Sequence, residues 1–243
     1  MSVALASYRG DQVQPQTVAR ATGVLFLITF ITSIPALLLY DPVLNDGAYI
    51  TGAGSDNRIF LGATLELILI VANIATALVL FPILKRQNEG VALGFVTARV
   101  VESAFIAVGI LSVLAVVTLR QESGADAASL LPIGDALVAI KNWTFVIGPG
   151  FIVGIGNGLL LGYLMYRSGL MPRRLAMLGI IGGPLVCASG VAVIFGVLER
   201  GGAGQFIFTI PEIAWELSLG IYLTVKGFRP APIIALDETV VTT

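Results

Sequence analysis

PEIAWELSLGIYLTVKGF, residues 211–228, has the composition of a helix made for lipid, yet its first half carries two carboxyl groups, Glu212 and Glu216. At helical spacing they are i, i+4 neighbours and share one face. The rest of the stretch is apolar and ends on Lys226 and Gly227, a charge and a helix stop of the kind found where a span leaves the membrane. Its reading decides the fold. Lipid rejects an exposed ionised carboxyl, so a membrane helix carrying two of them must turn that face toward other protein or toward water.

The whole chain supports the membrane reading. Of its 243 residues 56% are hydrophobic and 12% charged, and the mean hydropathy is +0.94, well above the range of a soluble domain. About 20 apolar residues cross a hydrocarbon core, and six segments meet that length: Ala19–Tyr40, Ile59–Leu84, Ala92–Leu119, Trp143–Tyr166, Leu175–Leu198 and Phe206–Lys226. The expected fold class is therefore all-α, a polytopic membrane bundle of six transmembrane helices. An N-terminal tail covers 1–18, the membrane domain 19–228 and a C-terminal tail 229–243. The first apolar run lacks a small-residue cleavage site and reads as a retained helix.

Six spans put both termini on one side. Arg9, Arg20, Lys85, Arg86, Arg167, Arg173, Arg174, Lys226 and Arg229 lie on the side of the termini, against Arg58, Arg120, Lys141 and Arg200 on the other. The positive-inside rule makes both termini cytoplasmic. The outer loops, 41–58 and 120–142, are the longer ones. In the second, Leu130, Ile133, Leu137 and Ile140 recur at helical spacing, as expected of a short helix lying on the interface.

Composition also excludes. A net charge of −1 without a long basic run argues against nucleic acid. The single cysteine, Cys187, cannot form an internal disulfide, and the absence of histidine removes the commonest transition-metal ligand. No metal site and no cofactor is expected. The chain has no phosphate-binding loop, no serine-hydrolase elbow and no zinc-protease motif. The chemistry left is that of carboxyls.

The polar residues within the spans are the candidate ligand- or ion-binding residues: Glu66 and Asn73 in span 2, Arg99 and Glu102 in span 3, Asn157 in span 4, Glu212 and Glu216 in span 6. Four charged glutamates facing lipid would cost on the order of 10 kcal/mol on insertion scales. Glu66 and Asn73, seven apart, share a helix face, as do Arg99 and Glu102 at i, i+3. Counted from the span ends, Asn73, Asn157 and Glu216 fall near the midplane and Glu66 and Glu212 in the outer half, so that one polar cavity from the middle outward could collect them all. Four glutamates outnumber one arginine. If Arg99 pairs with Glu102, three carboxyls are left without a base, each tolerable only when uncharged, hydrated or holding a cation.

Glycine and proline point to the same region. Gly150, Gly154, Gly158 and Gly162 recur every four residues in span 4, a stripe for close helix approach, with Asn157 beside it. Pro149, Pro184 and Pro211 each remove a backbone donor in or near the start of spans 4, 5 and 6.

ARATGVLFLI (19–28), RVVES around Arg99 and Glu102, LLLGYLMYRSGLMPRRLAMLGIIGG (159–183) and the closing PEIAWELSLGIYLTVKGF resemble the bacterial membrane proteins of the domain of unknown function 4386 family. The resemblance implies a multi-helix protein of the bacterial inner membrane and carries no activity and no catalytic residues. Three readings stand open on the residues. One is a proton- or cation-linked transporter or binding protein, with a cationic or lipophilic small molecule as its partner besides the lipid bilayer. Another is an intramembrane enzyme using a protonated glutamate as general acid on an isoprenoid-like substrate, with aromatic residues stabilising a carbocation. The third is a non-catalytic sensor or complex subunit. Six helices are few for a monomeric transporter, which favours a homo-oligomer or one of the other two readings.

Overall fold

The computed structural model describes residues 14–52, 55–122 and 124–235, and among these there is helix and no strand. Six helical segments are long and apolar enough to cross a membrane. They are α1 (Pro15–Leu39), α3 (Asn57–Leu84), α4 (Glu89–Glu122), a composite fourth segment, α7 (Arg173–Ile194) and α8 (Ala203–Lys226), with the short α2 (Asp41–Asn45) in the first connection and α9 (Pro232–Ala235) after the last. Such lengths on such apolar sequences make this a multi-pass membrane protein.

Each long helix packs on the next in chain order, and α8 closes the ring against α1. Glycines set the tightest contacts. A Cβ added at Gly23 of α1 would stand 2.8 Å from the Gly220 carbonyl of α8, and one at Gly220 would stand 3.2 Å from the Leu27 side chain. The start of α1 and the residues that follow α8 are tied at one end of the ring: Gln16 Nε2 donates to the Phe228 carbonyl at 2.9 Å, and the Phe228 amide donates back to Gln16 Oε1 at 3.0 Å. Gly169 ends its helix in the left-handed conformation at φ 70°, where a side chain would be strained. Pro172 then leads into α7, and the Leu170 carbonyl accepts the Arg229 amide at 2.8 Å.

Helix boundaries mostly lie close to those read from hydropathy, with two differences. α1 begins at Pro15, inside the stretch assigned to the tail, because proline suits a first turn that needs no N–H donor. The larger correction concerns the fourth segment. Residues 131–142, expected as part of an outer loop with an interfacial helix, are the opening turns of the spanning helix itself. α5 (Leu131–Phe145) runs without a break into two π-helical stretches, Val146–Ile152 and Gly154–Leu161, and then into α6 (Gly162–Ser168). By hydropathy alone the charge of Lys141 marks the edge of the span. In the fold that charge is neutralised inside the bundle, so nothing forces the helix to end there.

The π-helical stretches hold the glycines and Pro149. Gly154, Gly158 and Gly162 all face α7, whereas a Cβ on Gly150 would meet only the Phe145 carbonyl of its own helix, 3.4 Å away. The wider i→i+5 turn takes Gly150 off the stripe that a regular four-residue spacing implied. Gly148 and Gly156 face α4 instead, each within 2.7 Å of a side-chain carbon if given a Cβ, at Phe105 and Ala98. This segment is thus clasped on both sides.

The apolar core divides along the ring into two larger clusters, with a small one of Ala63, Leu69, Ile106 and Ile110 on α3 and α4. At the end holding the termini, Phe26, Leu80, Phe95, Leu161, Met165, Leu170, Trp215 and Leu223 pack solidly. At the other end Tyr40, Tyr49, Ile50, Ile59, Val113, Val116 and Val117 form a smaller core, with Leu130 and Leu137 against it.

The connection at that second end is latched by Asp56. It accepts from Tyr49 at 2.6 Å, from Gln121 at 2.9 Å and from Arg120 at 2.5 Å, and the Arg120 guanidinium stacks 4.5 Å from the Tyr49 ring centre. Burial opposes the charge on Asp56, but the bonds from Tyr49 and Gln121 and the charge of Arg120 outweigh it and hold the carboxyl below its ordinary value. Burial and the bond to Asp56 push the Tyr49 phenol up to about 12. A carboxyl lowered on folding contributes stability that is present above its unfolded value and lost as pH falls through the folded one. Asp56→Asn should therefore lower stability by ~1 kcal/mol near neutrality, with the gap to the parent closing below the ordinary carboxylate range. Thermal unfolding of the detergent-solubilised protein across pH checks this; a gap that widens in acid contradicts the latch.

Candidate functional site

The polar side chains of the spans gather into three groups around the inside of the ring. The first joins α1, α3 and α5. Lys141 Nζ donates to both oxygens of Glu66, at 2.6 and 2.8 Å, and Tyr40 Oη donates to Glu66 Oε2 at 2.9 Å. Local sequence permits this reach. Gly109 of α4 leaves room for the Lys141 stem, which lies 3.0 Å from where a Cβ would be, and Gly62 leaves room for the Tyr40 ring. The ammonium also sits 4.7 Å from the Tyr40 ring centre, a second compensation for a buried charge.

The second group joins α3 and α4. Arg99 and Glu102, one turn apart, form an ion pair of 2.8 Å. Asn73 bridges them, its amide donating to Glu102 at 3.1 Å while its carbonyl oxygen accepts from Arg99 at 2.6 Å. All three side chains are buried. Phe26 of α1 lies under the guanidinium, 5.6 Å from it. Every charged atom pair here is matched, the condition under which a buried ion pair survives its desolvation.

The third group lies on α8 and is not matched. Glu216 accepts a hydrogen bond from the Asn157 amide, and Trp215 Nε1 donates to the Asn157 backbone carbonyl at 2.8 Å. The Asn157 carbonyl also accepts the Gly162 amide of its own π turn, and the indole is its second donor. Glu212 is 2% exposed, and neither of its oxygens has a hydrogen-bond partner among the described residues. Its carboxyl lies against a glycine notch: a Cβ on Gly158 would stand 2.6 Å from Oε2, and one on Gly182 2.9 Å. A bare carboxylate so placed would cost several kcal/mol, which a proton or a bound cation removes.

A cavity of about 140 Å³ joins the three groups. Glu66, Asn73, Arg99, Glu102, Glu212 and Glu216 all line it, together with Lys141, Thr29, Ser33 and Thr209 and the apolar side chains Leu37, Leu69, Ile106, Phe145, Val153 and Ile213. Asn157 is not on the wall. It is fully buried behind Glu216 and positions that carboxyl through its amide. The cavity draws on the second half of α1, the first half of α3, the middle of α4 and the first halves of the fourth segment and α8, so it lies toward the end away from the termini. The larger apolar core closes the other end. No residue of α8 before Glu212 is buried, so the wall is thinnest where Thr209 and Ile213 contribute to it.

Lys141, expected in an outer loop, stands inside the bundle instead, which changes the balance of three carboxyls without a base expected beside the Arg99–Glu102 pair. Lys141 is 4% exposed and matches Glu66, so two are left, Glu212 and Glu216. Sequence held a signal for this: Lys141 follows Leu137 and Ile140 in the same helical pattern, which would have carried it into the span. Tyr40, 26 residues from Glu66, had no such signal.

A family model described as Domain of unknown function (DUF4386) matches residues 21–227. No curated protein and no solved structure matches the chain.

Breaking one side of the Lys141–Glu66 pair should cost more than removing both. Lys141→Met strands Glu66 and is expected to destabilise by ~3–5 kcal/mol, whereas adding Glu66→Gln to it recovers a large part of that loss. Unfolding of the two single variants and the double variant in one detergent measures the coupling; additive losses would mean that the pair does not act as a unit.

Proposed function

The chain belongs to that family, whose description assigns no activity, and from this premise we propose that it is a membrane binding protein or transporter for a small cation, with proton and cation competing for Glu212 and Glu216. In this reading the protein lies in a bacterial inner membrane with both termini cytoplasmic, as the excess of Lys and Arg at that end favours. The cavity then faces away from the cytoplasm.

The observation that carries the reading is the state of Glu212: buried, on the wall of a cavity, and without a partner on either oxygen. Glu66 and Glu102 each have a base within 2.8 Å, so their charge is spent within the fold. Glu212 and Glu216, one turn apart on α8, have none: a proton completes Glu212, whose oxygens are closed in the glycine notch, and the half-buried Glu216 is the one open to an incoming cation. The enzyme reading draws less support, because Phe145 alone among the lining side chains is aromatic, which is little to stabilise a carbocation. A purely structural polar stripe would leave neither a cavity beside the acids nor a carboxyl without donors.

Because proton and cation compete for the same carboxyls, affinity should fall as pH falls, and binding should release protons into a weakly buffered solution. Titration of the purified protein with a panel of inorganic and organic cations, with proton release followed in parallel, tests both. Glu212→Gln with Glu216→Gln should lower affinity at least tenfold and abolish the proton signal while the protein remains folded. Binding unchanged by the double substitution, or indifferent to pH, refutes the reading.

A further inference from the structure

The walls of the cavity restrict which cation it can take. Its volume of about 140 Å³ is close to that of the ~150 Å³ apolar cavity known to accept one benzene ring. Between the charged groups the wall is aliphatic, formed by the buried Leu69, Ile106 and Val153. Three lining residues are themselves exposed and so mark where the cavity meets the surface: Leu37, Phe145 and Ile213, at 45%, 45% and 37% exposure. All three are apolar. A metal ion or methylammonium would satisfy the carboxyls of α8 and leave this apolar surface uncovered. A neutral ring would cover the surface and leave the half-buried Glu216 without a base.

Resting on the cation-site reading, we propose that the ligand is a monoammonium compound whose body is about the size of one aromatic ring. Its ammonium is held by Glu216, which is half-buried and lines the cavity. Its body lies against Leu69, Ile106 and Val153. The paired groups set the sign. Lys141 and Arg99 are both taken up by carboxylates, so no base is left for a carboxylate ligand, while two acids are left for an ammonium. An amphiphilic amine also suits an apolar mouth, which disfavours a strongly hydrated ion.

Calorimetric titration of the purified full-length protein with benzylammonium, methylammonium, benzyl alcohol and benzoate tests the proposal. Benzylammonium is expected to bind at least tenfold more tightly than the other three. Glu216→Gln, which keeps an acceptor for the Asn157 amide, should remove that preference over benzyl alcohol. Ile106→Phe, or Leu69→Phe should the first variant fail to elute as a monodisperse peak, fills the ring space and should weaken benzylammonium at least tenfold without changing methylammonium. Equal binding of methylammonium and benzylammonium, both lost in the Glu212→Gln/Glu216→Gln variant, overturns the ligand class while leaving a cation site. Absence of binding by either ammonium overturns the class and weighs against the cation site itself. Benzyl alcohol and benzylammonium binding alike, indifferent to Glu216→Gln, would mean partition onto an apolar surface and also overturns it.

Discussion

Six helices that face lipid on the outside must settle every charge on the inside, and that constraint organises this molecule. Hydrocarbon offers no hydrogen bonds, so a carboxyl on a spanning helix has to find a base, a donor, a proton or a cavity. Glu66 and Glu102 find bases and donors. Glu216 finds one amide, and Glu212 finds none. The ring arrangement follows from the same demand, since only an arrangement with an interior lets α1, α3, α4, the fourth segment and α8 present their polar faces to one another.

Glycine makes the settlement possible. Lysine at position 141 can reach Glu66 because position 109 has no side chain, and the Glu212 carboxyl can lie between helices because positions 158 and 182 have none. The cost of glycine in a helix interior, ~1 kcal/mol relative to alanine, is accepted at these points in exchange for the close approach of a charged group. The core at the end where α1 starts holds no charged group; there glycine admits a ring instead, Gly179 leaving room for the Trp215 indole, and the core closes the interior at that end.

What could be read from sequence divides along the range of the interactions. The six spans were legible, because the length and polarity of a run are local properties. So was the Arg99–Glu102 pair, three residues apart, and so was the shared face of Glu212 and Glu216. Lys141 with Glu66 was not, because 75 residues separate them and hydropathy reads a lysine as the edge of a span. The π-helical register was not legible either. Pro149 and the glycines showed that the helix was weak there, but whether such a stretch kinks, breaks or widens depends on what packs against it, here α4 on one side and α7 on the other. Asn157 was placed correctly at a seam, yet its part in the site, standing behind Glu216 rather than on the wall, depended on that register.

The same widened stretch joins two things that otherwise have no covalent reason to move together. Upstream of it stands the lysine tied to α3, and within it stands the asparagine tied to α8. A π turn packs more residues into each winding than an α turn does, so relaxing any part of 146–161 to the commoner form would lengthen the rod and screw one half against the other. Since both halves are anchored through side chains to different neighbours, such rewinding would pull on the anchors at once. The fourth segment thereby links two walls of the chamber, and any change in its helical pitch would shift both anchors together.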